Sequence, residues 1–384
     1  MIYLDNAATT MTDPEVVRAM LPYFTDNFVN PSSSYSMGND GRHAITVAKE
    51  QVAHLINAKA NEIYFTSGGT EADNWALMGS VLGLKHRPHV ITTVIEHAAV
   101  LDTCRVLEKM GCEVTYLTVS RDGLVDADRL RNALKKGADL VSIMMANNEI
   151  GTIEPIAELA DIAHKGGALF HTDAVQCVGN MPVDVRELDV DMLSASAHKF
   201  GGPKGVGFLY IKNGVEIRPY IYGGAQQNGL RAGTENVPGI VGIGAAAEMA
   251  GRGLDMRWKH IEALRDMLLN EIKDRVPGTK LNGSRKYRLP NNINVSFTGV
   301  DAQALLVRLD MQGVYVSTGA ACTTGMGMES HVLKAIMSDR DRVNGAIRIS
   351  LSDKNTMGEI DKVADIIAAQ VDMIRGVQYG EYYY

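Results

Sequence analysis

The chain has 384 residues, 46% hydrophobic and 22% charged, with a formal net charge of −7 at pH 7. That length exceeds what one hydrophobic core usually serves and predicts two domains in close contact. The acidic balance and scattered Lys and Arg argue against nucleic-acid binding, no apolar run reaches membrane-spanning length, and residues 1–5 lack the basic start and apolar core of a signal peptide.

Residues 1–10 read as a short extended segment and a polar turn. A helical pattern runs from Pro14 through Phe24, residues 30–34 are loop, and a helix covers about 41–56 with Ala44, Val47, Ala48, Val52 and Leu55 on one stripe. A strand over 62–65 leads into Thr66-Ser67-Gly68-Gly69-Thr70 and a helix over 71–82. Strand, glycine turn and helix start suit a bound phosphate, because the backbone can approach it and the free N–H groups face it. An ordinary turn capped by Thr70 is the alternative. Strands over 89–94, 113–117, 140–145 and 169–171 then alternate with helices from near His97 and over 127–135 and 154–165. This predicts an α/β domain with a mainly parallel sheet, in which ligands bind at the carboxyl ends of strands. Gly69, Thr70, His97, Asn147, Asn148, Asp173 and Lys199 fall at such ends.

The chain from Ser194 to Gly205 sets Lys199 among small, hydroxyl-bearing and glycine residues, directly after His198 and ahead of an apolar strand over 206–211. This fits a lysine that forms a Schiff base with a phosphate-bearing cofactor, pyridoxal phosphate. A Gly-Pro turn with a solvated lysine is the alternative. With such a cofactor, Asp173 would face the pyridine nitrogen and keep it protonated. His97 is either a satisfied interior histidine or a ring stacked on the cofactor and open to proton transfer.

Residues 223–234 are too glycine-rich to be regular and read as a loop reaching toward a ligand or a partner subunit. Residues 237–275 are helical with a break at 251–253. Strands over 292–297, 314–316 and 346–351 and helices over 301–309, 330–337 and 357–374 make a compact α+β second domain, with a frayed tail at 379–384. The division expected is 16–250 for the large domain, and 1–15 with 251–384 for the small one. Cys104, Cys112, Cys177 and Cys322 form no CxxC pair, so neither a disulfide framework nor a metal site is expected, and the cytoplasm is the natural compartment. The first three read as buried small hydrophobes. Cys322 lies among small, polar and glycine residues, on a mobile loop over about 318–330, where a thiol can act as nucleophile or sulfur carrier.

In this order the stretches resemble the class V aminotransferase-fold cysteine desulfurases of the NifS/IscS type. The resemblance runs nearly end to end, from residues 3–10 through 66–74, 147–151, 173–176, 196–199 and 231–234 to the Cys322 loop. It implies pyridoxal-phosphate-dependent fold type I, an α/β large domain with a mainly parallel mixed sheet plus a smaller α+β domain. It makes Lys199, Cys322 and His97 catalytic. Gly69, Thr70, Ser196 and His198 would hold the phosphate, with Thr234 arriving from the second subunit of a homodimer. Asp173 would face the ring nitrogen, Gln176 the phenolic oxygen, and His97 would stack on the ring. Asn148 would lie near cofactor and substrate, Arg348 would grip the substrate carboxylate, and Asn30 belongs to the same pocket. The implied reaction takes sulfur from L-cysteine, leaving L-alanine and a persulfide on Cys322 for an acceptor such as an iron–sulfur scaffold or a thiolation enzyme. Selenocysteine lysis, or another class V reaction, is the alternative. Tyr35, Gln226-Gln227 and Met328-Glu329 depart from the family's usual residues without removing a chemical group named above.

Overall fold

The apolar runs that alternate with helical patterns become one seven-stranded sheet of order β2-β8-β7-β6-β5-β3-β4. The computed structural model of the protein describes residues 1–318 and 329–379. The strands are β1 (Ile2–Tyr3), β2 (Ile63–Thr66), β3 (His89–Thr93), β4 (Glu113–Leu117), β5 (Leu140–Ser142), β6 (Leu169–Asp173), β7 (Met192–Ser196), β8 (Gly207–Ile211), β9 (Thr279–Leu281), β10 (Asn292–Phe297), β11 (Val314–Tyr315) and β12 (Ala346–Ser350). In the large sheet β8 lies antiparallel between β2 and β7, and the other pairings are parallel. The sheet interior is dry: Ile63, Val141, Phe170, Leu193 and Phe208 are fully buried, as two covered faces require.

Several boundaries differ from the sequence reading for local reasons. The pattern over 14–24 divides into Pro14–Met20 and Pro22–Thr25, since Pro22 has no N–H to donate. The helix after β2 begins at Gly69, so Gly69 and Thr70 belong to its first turn. The break at 251–253 separates Val237–Gly251 from Leu254–Arg275, with Gly253 left-handed at φ 64°. β9 is a short edge strand the sequence did not announce.

A second layer holds the antiparallel sheet β12-β10-β9, backed by the helices Leu254–Arg275 and Met357–Tyr379. β1 pairs in parallel with β11, Ile2 opposite Val314. Beyond β1 the chain crosses between the two sheets. On one side Ala7 N–H donates to the Ser350 hydroxyl (2.8 Å), and on the other Thr10 N–H donates to the His198 carbonyl (2.8 Å). Among the described residues, no helix is long and apolar enough to cross a membrane.

Candidate active site

Because β2, β3, β5, β6 and β7 point the same way, their carboxyl ends lie on one rim. The rim collects residues far apart in sequence: Gly68, Gly69 and Thr70 after β2, His97 after β3, Asn148 after β5, Asp173 and Gln176 at the end of β6, and Ser196, His198 and Lys199 at the end of β7.

The helix Gly69–Val81 starts without a side-chain cap, so its first N–H groups and its positive end are open to an anion. Glycine permits the close packing there. A Cβ on Gly69 would stand 2.6 Å from Val175 Cγ2, and one on Gly207 would stand 2.5 Å from the Ala195 carbonyl oxygen and 2.8 Å from Gly68 Cα. Glu71, an acid in this first turn, is paired with Arg231 through Nε (2.8 Å) and Nη2 (3.1 Å) and accepts from Ser67 N–H. Burial pushes the Glu71 carboxyl up, yet these bonds outweigh it and hold it below its usual range. Ser196 is buried beside Gly69, and His198 Nδ1 meets Thr9 Oγ1 at 3.1 Å. Burial, then the charges of Lys199 and Lys204, lower the His198 pKa to about 4, so its ring is neutral at pH 7.

Lys199 Nζ donates to the carbonyl oxygens of Ala7 (2.6 Å) and Ala8 (2.8 Å) on the crossing segment. Gln176 Nε2 donates to the same Ala7 oxygen at 3.1 Å. Asp173 is buried and accepts from Val175 N–H at 2.9 Å. Burial raises its pKa against the opposing influence of His97 and Lys199, so a cation beside this carboxylate would be welcome. His97 caps the helix Ala98–Lys109, its Nδ1 accepting from Ala99 N–H at 3.1 Å. That bond leaves the ring proton of the neutral form on Nε2.

Arg348, on β12, reaches the rim from the second layer and is 2% exposed. Its Nη1 donates to the Asn148 carbonyl (2.9 Å) and its Nη2 to Asp5 Oδ1 (2.7 Å). Asn30 and Thr234 lie on exposed surface, where the Asn30 side chain accepts from Ser32 N–H at 2.9 Å. Cys322 lies outside the described residues. The chain on either side of it is tied to the rim: Ser317 exchanges backbone hydrogen bonds with Arg348, the Ser330 hydroxyl donates to Glu149, and His331 Nε2 meets the Glu96 carbonyl at 3.0 Å.

An open helix start flanked by Ser196, an amine at Lys199 and a buried carboxylate at Asp173 match, in turn, a phosphate, an aldehyde and a pyridine nitrogen. This donor set fits pyridoxal phosphate. Residues 2–363 match the family model described as Aminotransferase class-V, and the chain belongs to that family, whose enzymes depend on pyridoxal phosphate. A cysteine desulfurase IscS of Methanosarcina thermophila is 48% identical over 98% of this chain and 93% of its own length. One of Dictyoglomus turgidum is 49% identical over 98% and 96%. Among solved structures, a NifS-like protein aligns with TM-score 0.91 at 40% identity over 97% of this chain and 99% of its own. SspA in complex with cysteine aligns at 0.81 and 34% identity over 93% and 100%. Within the class V family the chain is one of the cysteine desulfurases, and its α/β fold is that of fold type I.

Some residues of the rim carry no signal in the sequence pattern. Asp5 and the carbonyls of Ala7 and Ala8 touch Arg348 and Lys199, but their partners lie hundreds of positions away. For Asp5 the hint is a single acid within residues 3–10, where the family resemblance begins, and nothing there names Arg348 as its partner. Gly207, a glycine opening an apolar strand, was another hint of close backbone approach.

Proposed function

We propose that this rim is the active site of a cysteine desulfurase that converts L-cysteine to L-alanine and a persulfide on Cys322. The observation that carries the reading is the convergence of Lys199, Asp173 and the uncapped Gly69–Thr70 helix start on one rim, with Arg348 facing them from the second layer. The cofactor, held by Lys199, would take up the electron pair left when the substrate's α-proton departs. Gly69, Thr70, Ser196 and a neutral His198 hold its phosphate, joined by Thr234 from the partner in a homodimer. Asp173 would hold a proton on the ring nitrogen, Gln176 would serve the phenolic oxygen, and His97 would lie against the ring and move protons through Nε2.

Arg348 binds the substrate carboxylate as a planar fork, with Asn148 and Asn30 lining the same pocket. Lys199, once freed, removes the α-proton. The Cys322 thiolate attacks the substrate sulfur: the bond between Cβ and sulfur breaks, a sulfur–sulfur bond forms, Cβ takes up a proton, and Cα regains the one it lost as alanine leaves. The persulfide passes to an acceptor protein, an iron–sulfur scaffold or a thiolation enzyme, in the cytoplasm. The small domain (1–15 and 251–384) presents the cysteine segment to the large domain (16–250).

The test is alanine and sulfide release from L-cysteine by wild type and Cys322→Ser. The variant should keep its bound cofactor and lose both products; full turnover in Cys322→Ser would remove the cysteine from the mechanism.

A further inference from the structure

Arg348 already carries a carboxylate. Its Nη2 donates to Asp5 Oδ1, its Nη1 to the Asn148 carbonyl, and its Nε is buried with no hydrogen-bond partner among the described residues. The two partners differ in exposure: the Arg348 side chain is 2% exposed and that of Asp5 19%. The Asp5 backbone is held, since its carbonyl accepts from Ala8 N–H and the Tyr3 hydroxyl and its strand bridges Ser350. Its carboxylate is therefore the part of the pair with access to water and room to turn.

Building on the reading that Arg348 grips the substrate carboxylate, we propose that Asp5 is an internal rival for that grip and thereby sets how tightly the enzyme binds its amino-acid substrate. A carboxylate held at two points needs two neighbouring N–H groups of the guanidinium. A guanidinium offers two such edges, Nε with Nη2 and Nη1 with Nη2, and both include Nη2, the nitrogen that Asp5 holds. An arriving carboxylate thus meets Asp5 at Nη2, and two carboxylates at one guanidinium repel in a site this dry. Without substrate, Asp5 keeps a buried guanidinium from standing alone. With substrate, it turns aside toward water. A ligand without a carboxylate leaves the pair undisturbed, so the rivalry weighs only on amino acids.

The test uses the holoenzyme and follows binding through the cofactor's absorbance. L-Cysteine is compared with cysteamine, which keeps amine and thiol and lacks the carboxylate, in wild type, Asp5→Asn and Arg348→Lys. Asp5→Asn keeps an oxygen for Nη2 and removes the charge. It should tighten L-cysteine about three- to tenfold, seen also as a lower KM, and move cysteamine by less than about twofold. Unchanged or weaker L-cysteine binding, or an equal gain for both ligands, overturns the proposal. Asp5→Ser, also neutral, answers with the same outcomes if the amide variant does not fold. Arg348→Lys should weaken L-cysteine alone. If it weakens neither ligand, the reading of Arg348 fails, whereas a normal Arg348→Lys loss without an Asp5→Asn gain sinks only the rivalry.

Discussion

The Ser330 hydroxyl donates to the buried carboxylate of Glu149 and accepts from Leu333 N–H at 3.0 Å, so one oxygen caps a helix and pins the chain after Cys322 to the rim. Glu149 is 3% exposed and its neighbour Asn148 holds Arg348, so the pin reaches the proposed substrate pocket directly. Ser330→Ala removes a cap and strips a buried acid of a donor. It should cost about 1–3 kcal/mol in urea or thermal unfolding. Alanine formation should slow severalfold while cofactor absorbance is retained.

Asp173→Asn preserves the shape of the β6 terminus and removes the charge that, in the proposed function, would keep a ring nitrogen protonated. Turnover of L-cysteine should fall by about 100-fold or more. The cofactor should remain bound, visible as retained absorbance with a shifted maximum; turnover within threefold of wild type would argue against the assigned contact.

Glu96 lies beneath the rim, fully buried, its carboxylate accepting from the Thr93 hydroxyl at 2.7 Å and from Met144 N–H at 3.1 Å. Burial raises its pKa to about 8, only partly offset by those bonds. The folded protein therefore keeps a proton that the unfolded chain loses above its ordinary value of 4.5. The stability this provides is full below that value and is lost as pH rises toward 8. Glu96→Gln does not titrate. Relative to wild type it should gain roughly 2–3 kcal/mol between pH 5 and pH 7, read from urea midpoints. Glu154, raised to about 8 by burial, keeps its own slope in both proteins and cancels in the comparison.

Gly207→Ala places a methyl against backbone that cannot give way, 2.5 Å from the Ala195 oxygen and 2.8 Å from Gly68 Cα. A loss of about 2–4 kcal/mol is expected, with cofactor release at least about tenfold faster in dialysis. The loop glycine Gly111 has nothing within 4 Å of a new Cβ and serves as the comparison, where backbone strain at φ 97° alone would be felt.

Gln227 explains one departure from the family pattern. Its side chain accepts from Phe65 N–H at 3.2 Å and donates through Nε2 to Glu235. Gln227→Glu would set two carboxylates together at a buried position. It should destabilise the protein by about 1–3 kcal/mol at pH 7, a loss that shrinks as pH drops below about 5.

The strands of the large sheet were legible because alternation of apolar runs with helical periodicity is local. Once the sheet is parallel, Gly69, His97, Asp173 and Lys199 must share a rim. Arg348 with Asp5 was not legible as a pair, since a hydrogen bond across 343 positions leaves no periodic trace. The run over 140–145 was read as one strand, and β5 ends at Ser142. Its N–H groups at Ile143 and Met145 still reach β6, while Met144 N–H turns to Glu96, so the last residues serve the rim more than the ladder. Asn30 and Thr234 stand on exposed surface of this chain, away from the rim residues that the sheet topology brings together.

The crossing segment has a consequence for biosynthesis. β1 finds its partner β11 some 300 residues later, and the Ala7 N–H waits for the Ser350 hydroxyl. A ribosome finishes every strand of the large sheet before either anchor exists. The crossing segment that carries the Ala7 and Ala8 carbonyls is therefore held from the His198 side first, and from the second layer only once β11 and Ser350 have emerged. A chain cut before β11 and Ser350 can own a finished large sheet and still lack both of these holds on the crossing segment.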